Sequence, residues 1–358
     1  MERSHLYQVL KEAGATFGVT FGWEMPQVFS TPEEEYQAAS KSVALSDRSY
    51  IGRLKATGKD ALDLINRLST NKLEDLAPGE AMPTVLTNNK ARILDYLLVV
   101  RMEDDLLLLT SPQNRQKVAD WIDLYTFLEE SEVEDITSKT ALVSLIGPEA
   151  RDLLRNLGID GLIETSHHQC TTSSWNGTKI TSIRTDFAGV PVYDLLIEDS
   201  KAQDLWRLIL DKGEAFGVRP VGQKVLDILR IEHGIPEYGR ELSEKYNPLE
   251  ANLTSAISFN KGCYIGQEVV TRLNTYKKVQ KRLMGIALED DLEISGNAKL
   301  IVDQKDVGLI TSWTRSQLQN KPIALAYVKT AYAKSGVRVI VSSDKHEVAG
   351  ELVELPFQ

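Results

Sequence analysis

The stretch from residue 283 to residue 358 constrains this chain most. Six short apolar runs follow one another there: Leu283 to Leu288, Lys299 to Val302, Gly308 to Trp313, Ile323 to Val328, Val337 to Val341 and Val348 to Leu355. Turn residues separate them and no long helical pattern intervenes. Runs of that length are strands, and a small sheet hides its unpaired edges by closing on itself. The spacing predicts a small closed antiparallel barrel. Upstream the chain mixes helices and strands. Thr31-Pro32-Glu33-Glu34 supplies a hydroxyl cap, a proline at the first helical position and a glutamate three residues after the cap. Ser111-Pro112 opens a second helix through Trp121 and Leu124, and Gly147-Pro148-Glu149-Ala150 a third that Gly158 stops. Ile93 to Arg101, Leu106 to Thr110, Leu142 to Ile146 and Val190 to Ile197 read as strands. Their irregular alternation with the helices predicts an α+β fold, not a doubly wound sheet.

At 358 residues the chain exceeds one simple core and implies two or three domains. No apolar run approaches the roughly 20 residues that span a bilayer, so no membrane partner is expected. Met1 to His5 lacks the pattern of a secretory signal. Two cysteines in the whole chain argue for a reducing compartment, and the expected location is the cytoplasm. The net charge of −10 disfavours broad contact with a phosphate backbone. Lys277-Lys278-Val279-Gln280-Lys281-Arg282 is a local basic stretch, read as a solvated linker, and direct nucleic-acid binding is not expected. His167-His168 with Cys170 offers too few ligands for a zinc site, so no metal is expected.

One block stands apart. Lys261-Gly262-Cys263-Tyr264-Ile265-Gly266-Gln267-Glu268 sets a cysteine between two glycines, and Gln267 to Arg272 then reads as a helix opening just after Gly266. A thiol near a helix N-terminus, with Lys261 close by, meets two influences that favour the thiolate. Taken alone, the block reads as a small buried cysteine in a tight turn.

Lys-Gly-Cys-Tyr-x-Gly-Gln-Glu also resembles the signature of the YgfZ-type folate-binding proteins. These are relatives of the glycine-cleavage aminomethyltransferase, the T-protein, that serve iron–sulfur cluster assembly and tRNA modification. Further blocks extend the likeness along the chain: Phe21 to Pro26, Asp47 to Leu54, Thr57 to Ala61, Ala141 to Pro148 and Leu229 to Gly239. The resemblance implies three domains around a folate site. The first, folate-binding, takes residues 1–48 and 138–268, an inserted α+β domain takes 49–137, a linker takes 269–282 and a C-terminal barrel takes 283–358.

Departures from the T-protein pattern shape the expected function. Ala91-Arg92-Ile93-Leu94-Asp95-Tyr96 stands where T-proteins carry Gly-Gly-x-x-Asp-Asp, so Asp95 is kept, Tyr96 replaces an acid and both glycines are gone. Asp95 either assists one-carbon chemistry or is a hydrogen-bonded structural residue. Val190 stands where T-proteins present a glutamate to the pterin, and Asp194 matches the second acid of that block. Cys263 stands where they place a phenylalanine-type residue. The resemblance therefore implies tetrahydrofolate held by Asp95, Tyr96, Asp194 and Arg230. Cys263 is the expected functional centre, set within Lys261, Gly262, Tyr264, Gly266, Gln267 and Glu268. The expected role is support of iron–sulfur client or assembly proteins. The alternatives are a tetrahydrofolate-dependent aminomethyltransferase and an interaction module that keeps the fold without folate.

Overall fold

The computed structural model describes residues 1–159, 168–291, 298–343 and 347–357. Contacts group the chain into two compact units, one of Met1–Thr84 with Leu97–Leu226, the other of Val85–Tyr96 with Asp227–Gln358.

The first unit is built on a six-stranded sheet in the order Gln169–Trp175, Thr178–Phe187, Val190–Glu198, Thr140–Ile146, Val43–Asp47, Val218–Pro220. Its strands pair antiparallel except the last, which runs parallel to Val43–Asp47. Side chains alternate across a strand, so Ala141, Val143 and Leu145 face one side with Leu195 and Ile197. There they meet Leu153 of helix Ala150–Asn156 and Leu205, Trp206 and Ile209 of helix Ala202–Gly213. Each such fully buried aliphatic side chain contributes roughly 1.5–3 kcal/mol. The opposite side receives Ser144, Leu142 and Asp194, and this alternation puts polar groups there. A five-stranded sheet runs in the order Ala81–Thr87, Ile93–Arg101, Leu106–Thr110, Gly52–Thr57, Glu132–Asp135, and the Val85–Thr87 and Ile93–Tyr96 parts of its first two strands are counted with the second unit. A small sheet of Glu2–Arg3, Trp23–Val28 and Thr16–Thr20 completes the unit.

The predicted helix starts are present. Thr31 caps helix Pro32–Lys41, its hydroxyl accepting from the Glu34 amide at 3.3 Å. Ser111-Pro112 opens a 3₁₀ turn that passes into helix Arg115–Leu124. Helix Ala150–Asn156 ends before Gly158, whose φ of +69° suits glycine.

In the second unit the closed barrel runs Lys281–Leu288, Pro322–Lys329, Lys305–Arg315, Lys299–Val302, Arg338–Ser342, Glu347–Val353 and back to the first. Four of the six predicted runs lie wholly within these strands, the fifth starts one residue early at Val337 and the sixth runs two residues too far, to Leu355. Val307, Leu300, Ala324, Val341 and Leu352 fill the interior. A bulge between Ile310 and Ser312 breaks the alternation and turns Ser312 toward Arg230. The stretch expected as a linker from residue 269 is largely ordered: helix Gln267–Thr275 occupies its start, and the first barrel strand begins at Lys281. No helix among the described residues is long and apolar enough to cross a membrane.

Candidate functional site

In the second unit the cysteine block wraps the N-terminus of helix Gln267–Thr275. Gly266 holds φ at +88°, which admits glycine at little cost. A Cβ there would stand 2.8 Å from the Asn88 carbonyl and 2.8 Å from the Thr87 hydroxyl. The reason is close packing against the turn after strand Ala81–Thr87, where Thr87 donates to the Ile265 carbonyl at 2.6 Å. Beneath the block Ala91, Ile257 and Val270 form an apolar floor. Tyr264 is buried, and burial pushes its phenol up to about 12. The Lys261 ammonium lies 5.2 Å from the Tyr264 ring centroid, a cation–π distance. Gln267 reaches back to the Gly262 carbonyl at 3.3 Å. Cys263 itself is exposed, and Glu268, in the first turn of the helix, is exposed as well. The block thus hides its tyrosine and displays its thiol, contrary to a buried packing cysteine.

The other cysteine behaves in the opposite way. Cys170 is buried among Ala81, Leu107 and Ile183, and burial pushes its thiol up to about 11. Among the described residues no group of His, Cys, Asp and Glu could hold a metal ion; His167 lies outside them, beside His168.

Asp95 and Tyr96 sit on strand Ile93–Arg101, within the segment assigned to the second unit. Asp95 is fully buried. Tyr96 packs against the cluster that contains Ile93, Leu242 and Tyr246, and burial raises its phenol above the usual range. The turn before them keeps a glycine-like backbone without glycine: Ala91 has φ +55°, a conformation few non-glycine residues adopt.

Arg230, at the end of helix Gln223–Glu232, is buried and fully engaged inside the second unit. Its Nε donates to Asp227 at 2.5 Å, Nη1 to Glu241 at 3.1 Å and Nη2 to Ser312 at 2.8 Å. Ser312 in turn donates to Glu241 at 2.6 Å. Burial opposes the guanidinium charge, but Glu241, Asp227 and Glu237 outweigh it and raise its pKa. The fork expected to grip a folate carboxylate therefore spends its donors on the protein, because Glu241 is fully buried and requires them.

Asp194 belongs to the first unit. Cross-strand pairing sets Ser46 opposite Ser144 and Ser144 opposite Asp194, so the three share one face of the six-stranded sheet. Ser144 donates to Asp194 Oδ1, and Arg48 Nη1 lies 3.3 Å from the same oxygen. Oδ2 takes no part in either bond. Arg48 feels burial against it, but Asp194 and Tyr50 raise its pKa overall. Val190 opens the same strand after a two-residue turn in which Ala188 and Gly189 both have positive φ. Ser144 and Arg48 were not expected at the site. The one signal for Ser144 is a lone hydroxyl inside the apolar run Ala141 to Ile146, and its partner across the sheet is unreadable from one sequence.

A mixed α/β portion carrying a buried serine–aspartate pair beside the half-buried Arg48, followed by a closed six-strand barrel, defines a fold class that comparison identifies. The model of the GCVT N-terminal domain matches residues 6–261, and that of the glycine cleavage T-protein C-terminal barrel domain matches residues 281–358. The chain belongs to the glycine-cleavage T-protein family. It is 31% identical to an aminomethyltransferase of Symbiobacterium thermophilum, with 100% of this chain and 97% of that one covered. It is 29% identical to an aminomethyltransferase of Oceanobacillus iheyensis (94% and 92% covered) and 31% identical to a putative chloroplastic transferase of Arabidopsis thaliana (92% and 74% covered). The crystal structure of glycine cleavage system aminomethyltransferase T from Bartonella henselae has the same fold, with a TM-score of 0.91 over 100% of this chain and 98% of that one, at 24% identity.

Proposed function

We propose that this protein binds tetrahydrofolate and transfers a one-carbon unit in the manner of an aminomethyltransferase. Asp194 carries the reading. It sits in the block where T-proteins present acids to the pterin, and Ser144 and Arg48 hold its Oδ1 in place. A carboxylate so held offers its second oxygen to the paired N–H groups of a pterin edge. Asp95 is the remaining acid of the second family block, buried on strand Ile93–Arg101. Full-length similarity to proteins named aminomethyltransferase supports transfer over a purely accessory role. Tyr96 and Val190, at two further acid positions, set a rate below that of a T-protein with all its acids.

The exposed thiol favours a second reading. Cys263, displayed by a block pinned through Gly266 and Thr87, suits a YgfZ-type protein that uses folate while supporting iron–sulfur client or assembly proteins and tRNA modification in the cytoplasm. Calorimetric titration with tetrahydrofolate and its 5-formyl analogue tests what the two share. An assay of methylene transfer with glycine-cleavage partners then separates them. Turnover near 1 per second supports transfer. Folate binding without turnover, with loss of iron–sulfur enzyme activity in a Cys263→Ala strain, supports the second reading. Absence of folate binding sinks both.

A further inference from the structure

The loop that follows helix Arg115–Leu124 holds two large apolar side chains in water. Phe127 is 80% exposed and Leu128 95%, and Leu124, one turn earlier, is 59% exposed. Burying such side chains is favourable, so a chain that exposes three together forgoes that gain. A slack loop would explain this, but this loop is pinned. The Glu129 carboxylate accepts from the Phe127 amide at 2.9 Å, the Leu128 amide at 3.1 Å and Arg67 at 2.8 Å. The next residue is fixed as well: the Glu130 amide donates to Asp60 at 2.9 Å and its carbonyl accepts from the Asp60 amide at 3.3 Å. Gly58 makes that approach possible, since a Cβ there would lie 2.0 Å from the Glu130 carbonyl oxygen. Arg67, with help from the Phe127 and Leu128 amides, holds the Glu129 carboxyl down at about 2. The anchor therefore stays charged at neutral pH.

The surroundings say what kind of surface would cover these side chains. Seven of the sixteen residues 120–135 are Asp or Glu and none is Lys, Arg or His. Among the described residues Lys59, Arg67, Arg115 and Lys139 pair with four of the seven, so the segment that carries the apolar tip holds three more acids than these four bases (7 − 4). An anionic bilayer leaflet would repel such a rim, and so would nucleic acid. A second copy, from a chain of net charge −10, meets the same long-range repulsion. We propose that Leu124, Phe127 and Leu128 form a preorganised docking knob for a different protein, one that offers an apolar socket rimmed by lysine and arginine. An apolar anchor ringed by complementary charge is how a small interface gains both affinity and selectivity.

The test uses the full chain with p-benzoylphenylalanine in place of Leu128, photo-crosslinked in its native cell. The crosslinked peptide of the adduct is then mapped on the partner. Support is one discrete adduct with another protein, mapped to an apolar surface flanked by Lys or Arg. Binding of that purified partner should weaken with added salt, and by roughly 30-fold in Phe127→Ser/Leu128→Ser. Because both side chains stand in water, that variant should keep the wild-type melting temperature. Glu129→Gln retains the apolar side chains but loosens their anchor, and should weaken the same binding several-fold. Adducts confined to a second copy, a mapped site without basic flanks, salt-independent binding, or no discrete adduct would each overturn the proposal.

Discussion

Thr87 donates its hydroxyl to the Ile265 carbonyl at 2.6 Å, and this bond fastens the end of strand Ala81–Thr87 to the turn that displays Cys263. Gly266 sits in the same contact at φ +88° with no room for a Cβ. Gly266→Ala should therefore cost about 1–3 kcal/mol from left-handed backbone strain and the forced approach. Thr87→Val should cost about 1 kcal/mol for the lost bond. Urea unfolding measures both. Unchanged midpoints would mean that this contact does not hold the block.

The two thiols should separate in labelling. Cys263 should react with iodoacetamide at pH 8 while Cys170 stays intact, because Cys263 is exposed and burial pushes Cys170 up to about 11. Mass spectrometry of the labelled peptides decides. Modification of Cys170 at a comparable rate in the folded protein would contradict its burial.

Cys170 also implies a pH dependence of stability. Its folded value of about 11 exceeds the unfolded value of about 8.5, so folding favours the protonated thiol. That contribution is complete below about pH 8 and is lost as pH rises toward 11, about 3 kcal/mol in all. Denaturation midpoints for wild type and Cys170→Ala should converge across this window. Parallel curves would refute the assignment.

Arg230→Met should unfold the second unit more than it weakens folate binding. Removing the guanidinium strands Glu241, fully buried, and takes a partner from Asp227. Breaking one side of such a pair costs about 3–5 kcal/mol. Chemical denaturation should show this loss, while calorimetry at low temperature on the folded fraction should retain folate affinity. A stable variant that has lost folate binding would instead make Arg230 a ligand contact.

Asp194→Asn keeps the shape but removes the charge that Arg48 and Ser144 hold. Tetrahydrofolate affinity should fall by about tenfold or more, since charge-assisted hydrogen bonds are worth roughly 1.5–3 kcal/mol. Unaltered affinity would remove Asp194 from the folate site.

What could be read beforehand was local in origin. The barrel strands, the Thr31 cap and the glycine before helix Gln267–Thr275 follow from spacing and from single residues with narrow conformational preferences. Asp194 is a candidate by resemblance, whereas Ser144, on strand Thr140–Ile146, and Arg48, which follows strand Val43–Asp47, reach it through pairing that no periodicity encodes. The internal bonds of Arg230 are hidden for the same reason. Its internal role depends on Ser312, turned inward by a barrel bulge 82 residues away. Between residues 120 and 135 the density of charged side chains conceals how firmly Glu129 fixes Phe127 and Leu128.

The assignment of Val85–Tyr96 to the unit completed by Asp227–Gln358 has a consequence for biosynthesis. Twelve residues made early must wait while the 130 residues 97–226 are translated before any of their later partners exists. At about 5–20 residues per second that is roughly ten seconds on the ribosome. Throughout it, Ile93 and Ala91, fully buried in the finished protein, have no surface to bury against in their own unit. A gene fragment beginning at residue 227 would lack the same segment. Neither unit can be expressed as one uninterrupted piece, and the apolar side chains of this segment gain their burial in the second unit only once residues 227–358 have been made.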